Sequence, residues 1–495
     1  MKVRTIALAV GGLLTASLLV VPASTGAQAS PAPSSSAVSS VSSTVTAVAA
    51  DRDGKKVGNE RKNSANRQRK PWSKRWHPAN KRAFFNNPYA AKKPAARFAI
   101  QNYLIKAIRN TPKGETIRIS VYSFDRNEVA DALINARKRG VRVQILMNNH
   151  QVTRAQRRLY RKIGRNPKQR NFAYECKASC RASRDNLHSK FFLFTKTGGI
   201  KNVVMMGSVN FTLNAVKWQW NDLLSLTRQD KLHDDLREVF DDMRKDYSTD
   251  QPFRTYCVGT KDGCGPTASN QFLRVFPRKA TPRNDAALAI LNPIDCKYRS
   301  GGKMRRTVVR MSMHAMRGPR GDYLAEAWRN LWARGCDVRV IYGLMGAKTK
   351  RKLGAATARG RVPLRSAGFD YDGDGQVNRY THQKYVLIGG MYGGRIGKTI
   401  FTGSSNWSSR GTSGDEIIYS FRGPGVFAQY MDNFRFMWNK HTRNAYTTTS
   451  AAYRTTESYR RADGTYGQRV VVKTRQVELN LPDGLGTDGP TWEDD

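Results

Sequence analysis

The chain has 495 residues, enough for two to three domains or one large bilobal unit. Hydrophobic residues make up 39% and aromatics 10%, so a sizeable core is available. Lys and Arg number 85 against 38 Asp and Glu, a formal net charge of +47, which carries no information on fold but predicts attraction to polyanions: nucleic acid, an anionic phospholipid surface or a phosphate-rich wall polymer.

Residues 1–29 read as a secretory signal peptide. Lys2 and Arg4 precede an apolar stretch, 6–21, interrupted by Gly11-Gly12, and Ala27-Gln28-Ala29 has the small-x-small form of a cleavage site. The apolar run is short for a membrane span. Export with removal of the signal is therefore expected, leaving a secreted, monomeric mature chain with no transmembrane segment. Residues 30–50 are rich in Ser, Ala, Thr and Val, and 51–82 are basic and polar. Together, 30–82 read as a low-complexity linker whose basic part is either a polyanion-binding arm or simply solvated.

Order is expected from Phe84-Phe85 onward. Residues 95–110 carry Phe98, Tyr103, Leu104, Ala107 and Ile108 at helical spacing. A strand over 116–124, a helix over 129–139 closed by Gly140, and a strand over 141–147 follow. Further strands are predicted at 188–194, 203–206 and 222–226, and a helix over 231–246. A loop with Cys257 and Cys264 fills 248–270. The same series then begins again: residues 272–277 match 84–88, followed by a helix at 286–291, a strand at 307–313, a helix over 323–334 closed by Gly335, and a strand at 338–342. Gly335 lies 195 residues after Gly140, so the register is kept between two copies. Alternating strands and helices predict an α/β fold built of two similar halves, 83–247 and 271–450. The tail, 451–495, is polar with one predicted strand at 470–472.

The six cysteines suit an exported protein. Cys176 with Cys180, Cys257 with Cys264 and Cys296 with Cys336 are the proposed disulfides, although six cysteines permit fifteen pairings. A zinc site is disfavoured, because the chain has no Cys-x2-Cys and no histidine at ligand spacing from these cysteines.

The chemistry-bearing signal is itself duplicated. His188-Ser189-Lys190 is followed by Gly207-Ser208-Val209-Asn210, and His382-Gln383-Lys384 by Gly403-Ser404-Ser405-Asn406. A single His-x-Lys in so basic a chain means little; two, each with a Gly-Ser-x-Asn roughly twenty residues on, make a motif. On a strand, histidine and lysine two residues apart point the same way. Each copy then supplies half of a site for handling a phosphate.

The paired motifs resemble those of the phospholipase D superfamily over most of residues 82–425. The resemblance implies two such lobes packed face to face, with the active site at their interface, and phosphodiester cleavage through a phosphohistidine. It implies His188 as nucleophile and His382 as general acid, with Lys190 and Lys384 on the non-bridging oxygens. Asn210 and Asn406 would donate further hydrogen bonds, supported by Ser208 and Ser404. Asp222 and Glu416 are the candidates for the carboxylates that orient the two rings. Thr195 and Gly389 stand where the family usually has an aspartate, so head-group specificity is not carried over.

No cofactor is expected, and two lysines with two asparagines do what a metal does in many phosphodiesterases. Asp370, Asp372 and Asp374, with Gly375, look like half of a calcium loop, but Thr381 occupies the position of its bidentate glutamate, so a turn is the simpler reading. Trp218, Trp220 and Trp407 line either a substrate pocket or the core. Three functions compete: a phospholipid-cleaving phosphodiesterase that can also transfer the phosphatidyl group, a metal-independent nuclease, and a non-catalytic polyanion-binding protein.

Overall fold

Two sheets run through the computed structural model, which describes residues 76–258, 271–368, 379–461 and 465–478. The first has seven strands in the order Arg82–Phe85, Asp222–Leu226, Ile200–Gly207, Phe191–Thr197, Thr116–Val121, Arg142–Asn148 and Phe172–Cys176. The second has ten. Its central run, in spatial order, is Gln271–Val275, Ile417–Arg422, Arg395–Gly403, Lys384–Tyr392, Val308–Met316 and Asp337–Met345. The two central runs have the same topology. In each lobe the strand after the His-x-Lys motif lies antiparallel to a strand that is itself parallel to the next one outward. The duplication read from the register is therefore a duplication of fold.

Local signals place the helices. Helix Arg154–Ile163 starts at a capping box, with the Thr153 hydroxyl accepting from the Gln156 amide and the Gln156 side chain accepting from that of Thr153. Helices Asn127–Lys138 and Gly318–Ala333 both stop before a glycine in the left-handed region, Gly140 at φ +88° and Gly335 at φ +102°.

Three apolar layers result. One lies under helices Ala99–Arg109, Asn127–Lys138 and Arg154–Ile163 on the outer face of the first sheet, and one under Gly318–Ala333 on the outer face of the second. The third is shared: Phe191, Leu193 and Met206 from the first sheet meet Tyr385, Leu387 and Tyr419 from the second, with helices Asp230–Met243 and Pro424–Lys440 packed into the same layer. Helix Pro424–Lys440 presents Phe427, Tyr430, Met431, Phe434 and Met437 to this layer, a spacing of three and four residues.

Several sequence expectations need correction. Order begins before Phe84, since Trp76 packs on Tyr103 and the Ala79 amide donates to the Tyr103 hydroxyl. The stretch 248–270 is not only a linker, because Arg254–Val258 is an edge strand beside Gln271–Val275. The tail strand is longer than expected: Tyr466–Glu478 pairs along its length with Thr448–Arg460, so the boundary drawn at 450 cuts a strand. His188 and His382 do not lie on strands. They end the loops leading into Phe191–Thr197 and Lys384–Tyr392.

Cys176 is bonded to Cys180 and Cys296 to Cys336. Cys257 is also bonded, while its expected partner Cys264 lies outside the described residues, as do the signal segment, the linker up to residue 75 and Asp370, Asp372 and Asp374. Among the described residues no helix is long and apolar enough to cross a membrane.

The two bonds close chain segments of very different length, with sequence separations of 4 and 40. Chain-entropy scaling gives about 2 kcal/mol for the short closure and about 4 kcal/mol for the long one. Replacing Cys296 and Cys336 by serine should therefore lower the urea-derived unfolding free energy about twice as much as replacing Cys176 and Cys180.

Candidate active site between two lobes

Each Gly-Ser-x-Asn turn is built by backbone necessity. A Cβ at Gly207 would lie 2.2 Å from the carbonyl oxygen of Asp222, and one at Gly403 2.1 Å from that of Ile417, so only glycine lets the neighbouring strand approach. The serine amides then donate to those same carbonyls, Ser208 to Asp222 at 3.2 Å and Ser404 to Ile417 at 3.0 Å. The serine hydroxyls accept from the Asp222 and Ile417 amides, both at 3.0 Å. The asparagines turn back toward the parallel strand of their own lobe: Oδ1 of Asn210 accepts from the Ser123 amide and Oδ1 of Asn406 from the Ala315 amide, each at 3.3 Å.

The histidines are held from across the seam. The His188 amide donates to the Asp415 carbonyl at 3.0 Å, and the His382 amide to the Trp220 carbonyl at 2.9 Å. Gln219–Trp220 of the first lobe runs parallel to Tyr380–Thr381 of the second, extending the second contact into a two-stranded patch. The rings are held in the same crossed way. His188 Nδ1 meets Oε1 of Glu416 at 2.5 Å. His382 Nδ1 meets Oδ1 of Asn221 at 2.9 Å. Glu416 also accepts from Ser404, and Asn221 accepts from Ser208 at 3.1 Å. The serine of each motif thus steadies the group that orients the other lobe's histidine.

Asp222 was one of the two candidate ring-orienting carboxylates, but the bond to the His382 ring comes from its neighbour Asn221. Asp222 instead accepts from Thr402 at 2.7 Å and from the Tyr430 hydroxyl at 2.8 Å, inside the shared layer. Burial pushes its carboxyl upward, opposed by those hydroxyls and by the Lys384 ammonium. The two rings therefore have different neighbours, a carboxylate for His188 and a neutral amide for His382.

His188, Lys190, His382 and Lys384 are all buried, with exposures of 1%, 0%, 0% and 3%. Lys190 donates to the His188 carbonyl at 2.7 Å and its ammonium lies 5.3 Å from the Tyr122 ring centroid. Tyr122 meets the His188 ring edge-on at 5.3 Å, and His314 fills the matching place beside His382 at 4.8 Å. The His314 Nδ1–H donates to the Thr381 carbonyl at 3.1 Å, which fixes its tautomer. Tyr122 and His314 were not singled out in the sequence. Each directly precedes the residue whose amide the motif asparagine accepts from, Ser123 and Ala315, which is where a signal lay.

A buried ion pair fixes Glu416. Arg181, just after the Cys176–Cys180 bond, donates through Nε to Asp415 Oδ1 at 3.1 Å and through its guanidinium to the Phe276 carbonyl. Ser179 Oγ and the Cys180 amide donate to the other Asp415 oxygen at 2.8 and 2.5 Å. The short disulfide loop of the first lobe therefore grips the residue next to Glu416 in the second. Of the three tryptophans, Trp220 and Trp407 are core, while Trp218 lies half-buried under Arg379, whose guanidinium stands 5.2 Å from the Trp218 ring and 4.8 Å from Tyr89. No group of three or more His, Cys, Asp or Glu capable of holding a metal occurs among the described residues.

A family model described as "Cardiolipin synthase, PLD-like domain" matches residues 104–244 and 306–438, one segment in each lobe. No curated protein matches the chain. Among solved structures, phosphatidylserine synthase from Haemophilus influenzae is similar at 12% identity over 78% of this chain and 92% of its own, with a TM-score of 0.49. Polyphosphate kinase from Porphyromonas gingivalis is similar at 14% identity over 72% of this chain, with a TM-score of 0.46, and the chain covers only 50% of that protein's length. The phospholipase D family member Nuc from Salmonella typhimurium aligns over its whole length with 35% of this chain, at 19% identity and a TM-score of 0.24.

Arg181→Met leaves Asp415 as an uncompensated buried charge. The variant should lose about 3–5 kcal/mol of stability in urea unfolding.

Proposed function

The chain belongs to the phospholipase D-like domain family, and on that premise we propose that it is a secreted phosphodiesterase that cleaves phospholipids through a phosphohistidine intermediate. Members of this superfamily act on phosphodiester bonds. The observation that carries the reading is the pair of buried imidazoles, each oriented through Nδ1 by the opposite lobe, one by a carboxylate and the other by an amide.

That difference divides the labour. Glu416 accepts the Nδ1 proton of His188, which presents Nε2 as the nucleophile and stabilises the positive ring that forms when Nε2 bonds to phosphorus. The P–O bond to the leaving alcohol breaks as His382, protonated, gives its Nε2 proton to the departing oxygen. Asn221, a neutral amide, accepts from the His382 ring and leaves Nε2 to face the leaving oxygen. Neutral His382 then takes a proton from water, whose oxygen attacks phosphorus and restores His188. An alcohol in place of water gives phosphatidyl transfer.

Lys190 and Lys384 hold the non-bridging oxygens, with Asn210 and Asn406 donating beside them. The negative charge of a phosphodiester complements these two ammonium groups. These groups provide the electrostatic stabilisation, so the reaction needs no metal. A secreted location is supported by the sequence of residues 1–29 and is compatible with the disulfides.

Nucleic acid is the second reading, favoured by the +47 charge and by the Arg379–Trp218 stack, which suits a base or a phosphate equally. The substrate is tested by incubating wild type and His188→Ala with phosphatidylcholine vesicles, plasmid DNA and bis(p-nitrophenyl) phosphate. Choline release by wild type, reduced at least about 10³-fold in the variant, is expected. Cleavage of plasmid alone makes the protein a nuclease, and cleavage of none of the three leaves only a binding protein. Glu416→Gln should lower kcat about 10–100-fold with little change in KM. Dialysis against chelator should leave turnover intact; loss of turnover in a folded protein would contradict the metal-free mechanism.

A further inference from the structure

Strand Lys384–Tyr392 begins at the site and runs away from it, bringing Gly389 opposite Val308 at the far end of the second lobe. Gly389 stands where the family pattern carries an aspartate. A Cβ there would lie 3.0 Å from Cζ of Phe427 and 3.2 Å from Nζ of Lys398. Those two side chains also line a cavity of about 240 Å³ between the sheet and helix Pro424–Lys440.

Its lining is strongly one-sided in charge. Arg310, Arg339, Lys398 and Arg435 face it, against a single carboxylate among the described lining residues, Asp337. That carboxylate is engaged by Arg310, whose Nη2 is 2.7 Å from Asp337 Oδ2. Arg435 lies 3.7 Å from Asp432, but both side chains are mostly exposed, so that pair contributes little. Burial pushes the Arg310 pKa down and the nearby Arg339 and Arg435 act in the same direction, opposed by Asp337. Four cations crowd one small space, and an anion would relieve the repulsion. Phe427, Phe434 and Trp438 form the remaining wall, with Lys398 5.0 Å from the Phe427 ring and Arg339 5.5 Å from that of Trp438.

We propose that this cavity is a second anion site that takes a phosphate dianion, free or at the head of a small monoester. Its volume is below the ~300–1,000 Å³ of pockets for drug-sized ligands, which favours a compact group. Arginine forks match phosphate oxygens, and the aromatic wall accepts the ester's apolar side. The site is separate from the paired histidines and does not depend on their chemistry.

The test is equilibrium dialysis of the full chain with labelled inorganic phosphate and, in a second arm, with dihexanoyl phosphatidic acid below its micelle concentration. Wild type should bind two equivalents. Arg339→Glu combined with Lys398→Glu, both exposed positions that leave the core intact, should bind one. Gly389→Asp, which brings a carboxylate against Lys398, should also bind one. Tighter binding in the lipid arm identifies a monoester head as the ligand, and tighter binding of inorganic phosphate identifies the free ion. Equal stoichiometry in wild type and both variants overturns the proposal, whether or not the histidine site also binds.

Discussion

Everything at the centre of this molecule rests on an exchange of hydrogen bonds across one seam. His188 belongs to the first lobe but its ring and its amide are both held by the second, through Glu416 and the Asp415 carbonyl. His382 is held in the reverse sense, through Asn221 and the Trp220 carbonyl. Neither imidazole is oriented by its own lobe alone. The apolar layer shared by the two sheets, with helices Asp230–Met243 and Pro424–Lys440 inside it, keeps these partners in register. Burial of the rings makes each bond matter, because a misplaced polar group there has no water to fall back on.

The same logic reaches outward. Arg181 and Asp415 form an ion pair with side-chain exposures of 0% and 2%, joining residues 234 positions apart. Such a pair stabilises weakly in net terms, since both ions lose their hydration. Its value lies in geometry. Ser179, the Cys180 amide and Arg181 together leave Asp415 one position, and Glu416 follows it in the chain. The Cys176–Cys180 bond thus acts at a distance on a histidine it does not touch.

Much of this was legible in the sequence. The duplicated motifs and the spacing of Gly140 and Gly335 pointed to the two lobes, and the family resemblance made Glu416, which bonds the His188 ring, one of two candidate carboxylates. Asn221 was missed because the neighbouring Asp222 has the expected side chain. A shift of one residue reverses the direction in which a side chain points: Asp222, the first residue of its strand, faces Tyr430 and Thr402, whereas Asn221 faces His382. The Arg181–Asp415 pair joins segments too distant for any local pattern to connect. The ribbon of Thr448–Arg460 and Tyr466–Glu478 was seen only in part, as its strands lack the apolar-in, polar-out alternation that marks a packed face. Helix Pro424–Lys440 carried a clear helical period in Phe427, Tyr430, Met431 and Phe434 that the sequence reading passed over.

The contrast between Glu416 and Asn221 has an evolutionary corollary. Two identical half-length chains related by a true twofold axis must give both rings the same neighbour, because one gene sets both. Acid and nucleophile are then alike at rest, and only the incoming substrate breaks the tie. Joining the halves in a single polypeptide removes that restriction. One copy is free to carry a carboxylate while the other carries an amide, so fusion itself is what permits the two imidazoles to have different partners.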